Sequence, residues 1–436
     1  MTSNIKLLLI LWIAGISLEG SAQSDTLKVS LRQAMAYATE FGYQSINAQH
    51  DIEIAQKKVN ETISIGLPQI TASGSLTKNL LIQEIVAQID GQTQRFKMGT
   101  NYSSSFGARA EQLLFDGSYL VGLQASKVYV RLSDNAKEKT DIEIKQAVAE
   151  VYFLASMAEK NIQEFERSLK INEKTYQETK VYFDNGMKED IDVDQIKLMV
   201  NESRRLYQEA LRQKAITMAI LKFSMGYDID KPLIVTESVT ELLSPIPLNP
   251  ELDFEMNTHI DYKTLLTQID IQGLDIKNQK TLALPRLTGF ASYDYTMLGD
   301  QLNDLINTDA AAIGLTLSIP IFSSGSRSAQ LKQKKLELTK LTVEKQMLEQ
   351  SLKRDLLVAE TNLKNGKIQY DNAKEALDIS TRIYHKSLVK FKNGIMNSLQ
   401  LSQIENSMIE AVITLSQASS NYFNMYINYQ KITSQL

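Results

Sequence analysis

The sequence predicts a membrane protein of mixed α and β class, built twice over from one run of helix, strand, strand and long helical hairpin. Three observations predict it: a pattern that recurs once at long range, four segments whose apolar residues alternate with period two, and helices whose apolar residues return every seven positions.

The chain opens with Met1, a cation at Lys6, an apolar run from Leu7 through Ile16, and then Gly20-Ser21-Ala22. Such a run is too short to cross a bilayer of about 30 Å as a helix, and small residues follow it where a signal peptidase cuts. Residues 1–22 therefore read as a secretory signal peptide rather than a retained anchor, and the mature chain is expected to start near Gln23, outside the cytoplasm. Cysteine is absent, which excludes disulfides, thiolate chemistry and a lipoprotein's acylated cysteine. Lys and Arg number 47 against 51 Asp and Glu, a net charge of −4, so no basic surplus points to nucleic acid.

Three matches, in order, define the repeat. Leu67-Pro68-Gln69-Ile70-Thr71 is echoed by Leu284-Pro285-Arg286-Leu287-Thr288. Phe106-Gly107 through Leu114-Phe115-Asp116-Gly117-Ser118 is echoed by Ile313-Gly314 through Ile321-Phe322-Ser323-Ser324-Gly325-Ser326. Phe183-Asp184-Asn185-Gly186 with Ile191-Asp192-Val193-Asp194-Gln195-Ile196 is echoed by Phe391-Lys392-Asn393-Gly394 with Leu399-Gln400-Leu401-Ser402-Gln403-Ile404. The expected organisation is a first repeat over 23–228, a linker over 229–258 holding Pro232, Pro245, Pro247 and Pro250, and a second repeat over 259–436. Copy one is longer by about ten residues between the first two matches, which a loop absorbs at small entropic cost.

Each copy starts with a helical stretch, Leu31 to Ile65 and Tyr262 to Ala283, ended by a Leu-Pro that forces Leu67 and Leu284 out of helical backbone. Strands are expected at about 69–81 and 102–115, and at about 286–298 and 310–322. In the last of these, Ile313, Leu315, Leu317, Ile319 and Ile321 share one side. A tilted transmembrane strand needs about 9 to 11 residues with one greasy and one wet face, which these runs supply; a soluble sandwich alternates in the same way.

A long heptad helix follows. Leu356, Leu363, Tyr370, Leu377, Tyr384 and Phe391 are spaced by seven, and small residues (Ala359, Gly366, Ala373, Ser380, Ser387) follow each of the first five three places on. Copy one carries Val148, Ala155, Ile162, Leu169, Tyr176 and Phe183 in the same register, the mark of supercoiled helices. From Arg327 to Phe391 such a rod would extend on the order of 100 Å. Asn-Gly at 185–186 and at 393–394 turns each rod, with tips near 185–190 and 393–398, and a second helix returns.

Four spanning strands cannot close, and an unpaired edge is not tolerated in lipid. Protomers must pool strands, about eight for a dimer or about twelve for a trimer. The doubled pattern, the Leu-Pro before each first strand, the Phe-Asp-Gly type turn and the two Asn-Gly tips resemble the TolC family of outer-membrane efflux proteins over nearly the whole mature chain. The resemblance implies a homotrimer in outer-membrane lipid, with four amphipathic transmembrane strands per protomer pooled into a 12-stranded β-barrel. It also implies a long antiparallel coiled-coil α-helical barrel in the periplasm, docked on a periplasmic adaptor coupled to an inner-membrane transporter. The expected function is the exit channel of a tripartite efflux pump or type I secretion system.

By the same resemblance the adaptor meets Asn185, Gly186 and Met187 and Asn393, Gly394 and Ile395, glycines that also serve simply to turn the chain. Family channels carry aspartates just inside the second tip; here Gln400 and Gln403 stand there, while Glu189, Asp190, Asp192 and Asp194 lie in the first hairpin. A carboxylate ring is then either lost or displaced to Asp192, and Asp192, Gln400 and Gln403 are the candidate gate and selectivity residues. Enzyme chemistry is not expected: His50, His259 and His385 are far apart, and Gly117-Ser118 lacks the lysine of a phosphate loop. No cofactor, metal or nucleic-acid partner is expected. The rival readings are a soluble periplasmic coiled-coil adaptor, which would carry one hairpin rather than two, and a structural envelope protein.

Overall fold

The computed structural model describes residues 26–89, 91–247 and 254–436. The signal segment, 1–22, lies outside the described residues.

Four strands, β2 (Gln69–Lys78), β5 (Tyr102–Phe115), β7 (Arg286–Gln301) and β8 (Asp304–Ser318), form one antiparallel sheet in the order β2-β5-β7-β8. Each copy contributes a hairpin, and the copies meet where β5 pairs with β7. β2 and β8 are left as edges. The outward apolar side is bare: Ile70 is 77% exposed, Ile313 89% and Leu315 69%. No helix among the described residues is long and apolar enough to cross a membrane.

The structure differs from sequence expectation at several strand ends. β2 stops at Lys78 rather than near 81, and β8 runs 304–318 rather than 310–322. Pro320 has no N–H to give a ladder and closes β8 early, while β7 and β8 extend to a tight turn at 302–303 through the Gln301↔Asp304 pair. The extra length in copy one is not a plain loop. It holds a second hairpin, β3 (Glu84–Ile89) with β4 (Gln92–Lys97), paired only with each other and placed at the sheet end remote from the helices.

The helices are α1 (Leu31–Phe41), α2 (Tyr43–Ile65), α3 (Gly117–Asp184), α4 (Asp190–Met225), α5 (Val239–Leu243), α6 (Ile260–Thr281), α7 (Ser326–Lys392) and α8 (Ser398–Ile432). α3 and α7, of 68 and 67 residues, are each on the order of 100 Å long. Asp116 starts α3 by accepting from the N–H groups of Ser118 and Tyr119. The first helical stretch is broken in two at Gly42, whose extended backbone separates α1 from α2; a Cβ there would sit 2.3 Å from the Ala38 carbonyl oxygen.

α3–α4 and α7–α8 form antiparallel hairpins. On α7 the inward line is the expected heptad, with Leu363, Tyr384, Phe391, Ala359, Gly366, Ala373 and Ser387 all buried. On α3 the line shifts past Ile162: Phe165, Ser168, Asn172, Thr175 and Thr179 are buried, while Leu169 and Tyr176 are only half-buried and Phe183 is exposed. The period of seven survives in Phe165, Asn172 and Thr179, but past Phe165 polar residues occupy it.

A girdle packs around the middle of the rods. β1 (Leu27–Val29) pairs in parallel with β6 (Leu233–Val235), so the segment expected to be an irregular linker contains a strand and α5, which is started by a Ser238/Glu241 capping box. The Tyr152 hydroxyl donates to the Val29 carbonyl at 2.9 Å and accepts from the N–H groups of Thr236 and Glu237, stitching both segments to α3. Phe153 stacks on Phe423 with ring centroids 4.3 Å apart, joining α3 to α8 inside this core.

Candidate functional site

The two hairpin tips are built alike, because the same residues impose the same cap. Gly186 and Gly394 each have φ +73, and their N–H groups bond to the carbonyls of Phe183 and Phe391 at 2.8 and 3.0 Å. The following N–H groups, of Met187 and Ile395, reach back to Tyr182 and Lys390 at 2.8 and 2.9 Å, completing a Schellman motif at each tip. Asn185 and Asn393 stay at negative φ, so the glycine alone takes the left-handed turn. A Cβ on either glycine would meet nothing within 4 Å. Space at the tips is open; only backbone conformation demands glycine there.

The tips expose large apolar side chains in matched positions. Met187 is 67% and Ile395 75% exposed, and Ile191 and Leu399 follow on the returning helices, both exposed. Behind them a small core of Ile196, Met199, Tyr384, Phe391 and Leu401 joins the two hairpins.

The candidate gate residues separate. Asp192 is sheltered between the tips: its carboxylate lies 3.8 Å from the Lys188 ammonium and accepts from the Ser398 N–H at 3.3 Å, at the start of α8. Lys188 in turn lies 4.3 Å from the centre of the Phe391 ring. One carboxylate thus supplies a cap to the opposite hairpin, where the exposed amides of a helix start favour negative charge. Gln400 and Gln403 are exposed on the first turns of α8 and are not brought into this cluster. The N–H of Gln400 bonds to the Asn397 side chain at 2.8 Å as part of the α8 cap.

Sequence reasoning passed over a second polar centre farther along the rods. Glu405 of α8 is 2% exposed, and one carboxylate oxygen accepts from Ser168 at 3.1 Å and from the Asn172 amide. The same amide nitrogen donates to Ser203 of α4 at 2.7 Å, and the Asn172 carbonyl oxygen accepts from the Tyr384 hydroxyl of α7 at 3.2 Å. Four helices meet on one asparagine. Two of the histidines lie elsewhere: His50 is exposed beside Glu53, and His259 is buried, accepting from the Asp261 N–H at the start of α6, while His385 neighbours Tyr384 on α7. Burial holds the His259 imidazole below its ordinary pKa.

Comparison with known proteins agrees with this architecture. The family model described as outer membrane efflux protein matches residues 46–227. The chain is 22% identical to the outer membrane efflux protein BepC of Brucella suis, over 93% of this chain and 85% of that one. Among solved structures, the Campylobacter jejuni CmeC outer membrane channel superposes with a TM-score of 0.69 at 18% identity, covering 93% of this chain and 85% of that one. CusC superposes with a TM-score of 0.71 at 16% identity, covering 96% and 95%. The fold is thus TolC-like, long helices joined to four antiparallel strands, and the match of residues 46–227 to the outer membrane efflux protein model, with efflux-protein similarity running along nearly the whole chain, makes an outer membrane efflux channel the reading that sequence and structure share.

Proposed function

We propose that three copies of this chain pool their four strands into one barrel and their hairpins into one periplasmic tube. The tube is a passive exit duct, opened when a periplasmic adaptor coupled to an inner-membrane transporter takes hold of the hairpin tips. The observation that carries the reading is the sheet itself: both of its edge strands, β2 and β8, lack a partner on their outer side within the protomer, and its apolar side is exposed. In hydrocarbon every unpaired backbone amide costs several kcal/mol. Only pairing of β8 of one copy with β2 of the next removes both edges, and three copies give a barrel within the usual size range of at least about eight strands.

The tips support the second half of the reading. Met187, Ile191, Ile395 and Leu399 are large apolar residues held out at the far end of the rods, where a partner would gain by covering them. Asn185, Gly186, Met187, Asn393, Gly394 and Ile395 form the proposed docking surface. Asp192 at the junction of the tips, with Gln400 and Gln403 exposed on the first turns of α8, makes up the proposed gate.

The test is the native mass of the mature protein extracted from outer membranes in detergent, corrected for bound detergent. About three chains per particle is the expected result. A detergent-free monomer in the soluble periplasm would overturn the pooled barrel.

A further inference from the structure

Glu405 occupies a core position of α8. Ser398, Leu401, Glu405, Met408, Val412 and Leu415 alternate in steps of three and four along the inward seam, and Glu405 is the one acid in that run. A carboxyl at such a place must be held by partners or stay neutral. Its hydrogen bonds come from Ser168 and Asn172 of α3, both to the same oxygen, and both are donors to it in either protonation state. No partner of the carboxyl carries a charge.

We propose that the Glu405–Asn172 cluster is a proton-responsive latch between the two helical hairpins, holding them packed together while Glu405 carries a proton and loosening them when the proton leaves.

The geometry gives the latch its reach. Asn172 uses its amide nitrogen for Ser203 and Glu405 and its carbonyl oxygen for Tyr384, so α3, α4, α7 and α8 are tied at one level of the tube. Tyr384 of α7 faces the cluster, and burial raises its hydroxyl pKa further from the neutral range. The groove alongside carries Glu164 and Arg167 of α3 and Glu375, Asp378, Arg382 and His385 of α7. From α4, Arg204 is engaged by Glu173 at 2.8 Å on the surface. The dominant influence on Glu405 is burial, which pushes its carboxyl up to about 7 against the opposing effect of the two hydrogen bonds, with no cation contributing.

The sign follows from proton linkage. Between the ordinary carboxyl pKa and about 7 the packed form holds a proton that a solvated Glu405 releases. Rising pH in that window therefore favours separation, by up to about tenfold in the packing equilibrium per pH unit. Falling pH within that window tightens the latch and rising pH loosens it.

The test uses the absence of native cysteine. Lys180 and Lys390 are exposed on α3 and α7, between the cluster and the tips. Spin labels on K180C and K390C, in labelled chain diluted into unlabelled chain, report the distance between hairpins within one protomer in detergent. The expected result is a narrow distribution at pH 5.5 that gains a longer component as pH rises toward 7, the ratio of the two changing up to about tenfold per unit in that window and levelling off above it. Glu405→Gln keeps both hydrogen bonds without a titrating proton, and Glu405→Met fills the seam with an apolar side chain; both should stay narrow at every pH. A wild-type distribution that ignores pH, or either neutral variant moving with pH as the wild type does, overturns the latch. Its effect on conduction rests on the channel reading. Planar-bilayer currents of the same proteins test that separately, since a protein that passes no current still reports its hairpin distance.

Discussion

At the scale of single residues, Asp192 shows how one side chain serves two demands. Its neighbours Lys188 and Ser398 hold it at the junction of the tips, and only about 15% of its side chain is exposed. An exposed ion pair contributes about 0–1 kcal/mol. This one is more sheltered and also satisfies a helix-start N–H of the other hairpin, so it fixes tip geometry as well as charge. Asp192→Asn retains an oxygen for the Ser398 N–H and removes the charge. Reconstituted in planar bilayers under a salt gradient, the variant is expected to lose cation preference relative to the wild type while keeping its thermal unfolding temperature within a few degrees. Reversal potentials that match the wild type would remove Asp192 from the conduction path and leave it as a tip clamp alone. Gln400 and Gln403 sit exposed and uncharged on α8, so the second hairpin adds no acid at this level.

At the scale of elements, legibility tracks how much each element depends on local signals. The strand starts after Leu67-Pro68 and Leu284-Pro285 were readable because proline acts on its own neighbour, and the two tips because a left-handed cap needs glycine whatever surrounds it. The break at Gly42 was not readable, since the residues on both sides keep a helical pattern and the turn is set by packing against the girdle. The polar line on α3 was also missed: Leu169, Tyr176 and Phe183 kept the period of seven that a reader looks for, but Leu169 and Tyr176 stand one place away from the buried Ser168 and Thr175, and Phe183 lies beyond the last buried residue, Thr179. Glu405 had a signal, an acid inside an otherwise apolar three-four alternation, but its meaning depends on Asn172, which lies 233 positions away in sequence.

The β3–β4 hairpin gives an element-scale prediction. Its two strands pair only with each other, and the main sheet reaches its last β2–β5 pair at Lys78↔Tyr102 without it. Replacing residues 83–98 by a short Gly-Ser turn shortens a loop, which changes closure entropy by about 1 kcal/mol or less. The shortened protein is expected to assemble in the outer membrane and unfold within a few degrees of the parent, measured by thermal unfolding in detergent. Failure to assemble would show that the hairpin braces the barrel.

At the scale of the whole molecule, the chain separates its tasks by distance. Apolar strand faces lie at one end, a packed girdle with Tyr152 and Phe153 in the middle, and exposed apolar tips at the other, with the rods fixing the separation between them. A partner that recognises the tips need not touch the sheet, and a photo-crosslinker can tell the ends apart. Placed at Met187 or Ile395 in intact cells, it is expected to join this chain to a periplasmic adaptor bearing a helical hairpin, identified by peptide mass mapping. Placed at Leu81, an exposed residue at the opposite end of the molecule, it should yield no such product. The contrast between ends matters because apolar exposure alone is shared by both, whereas the capped turns, the Asp192 clamp and the small core behind them exist only at the tips. If the tip probes capture only other copies of this chain, the exposed Met187 and Ile395 serve closure of the tube, and the adaptor must grip the rods along their sides.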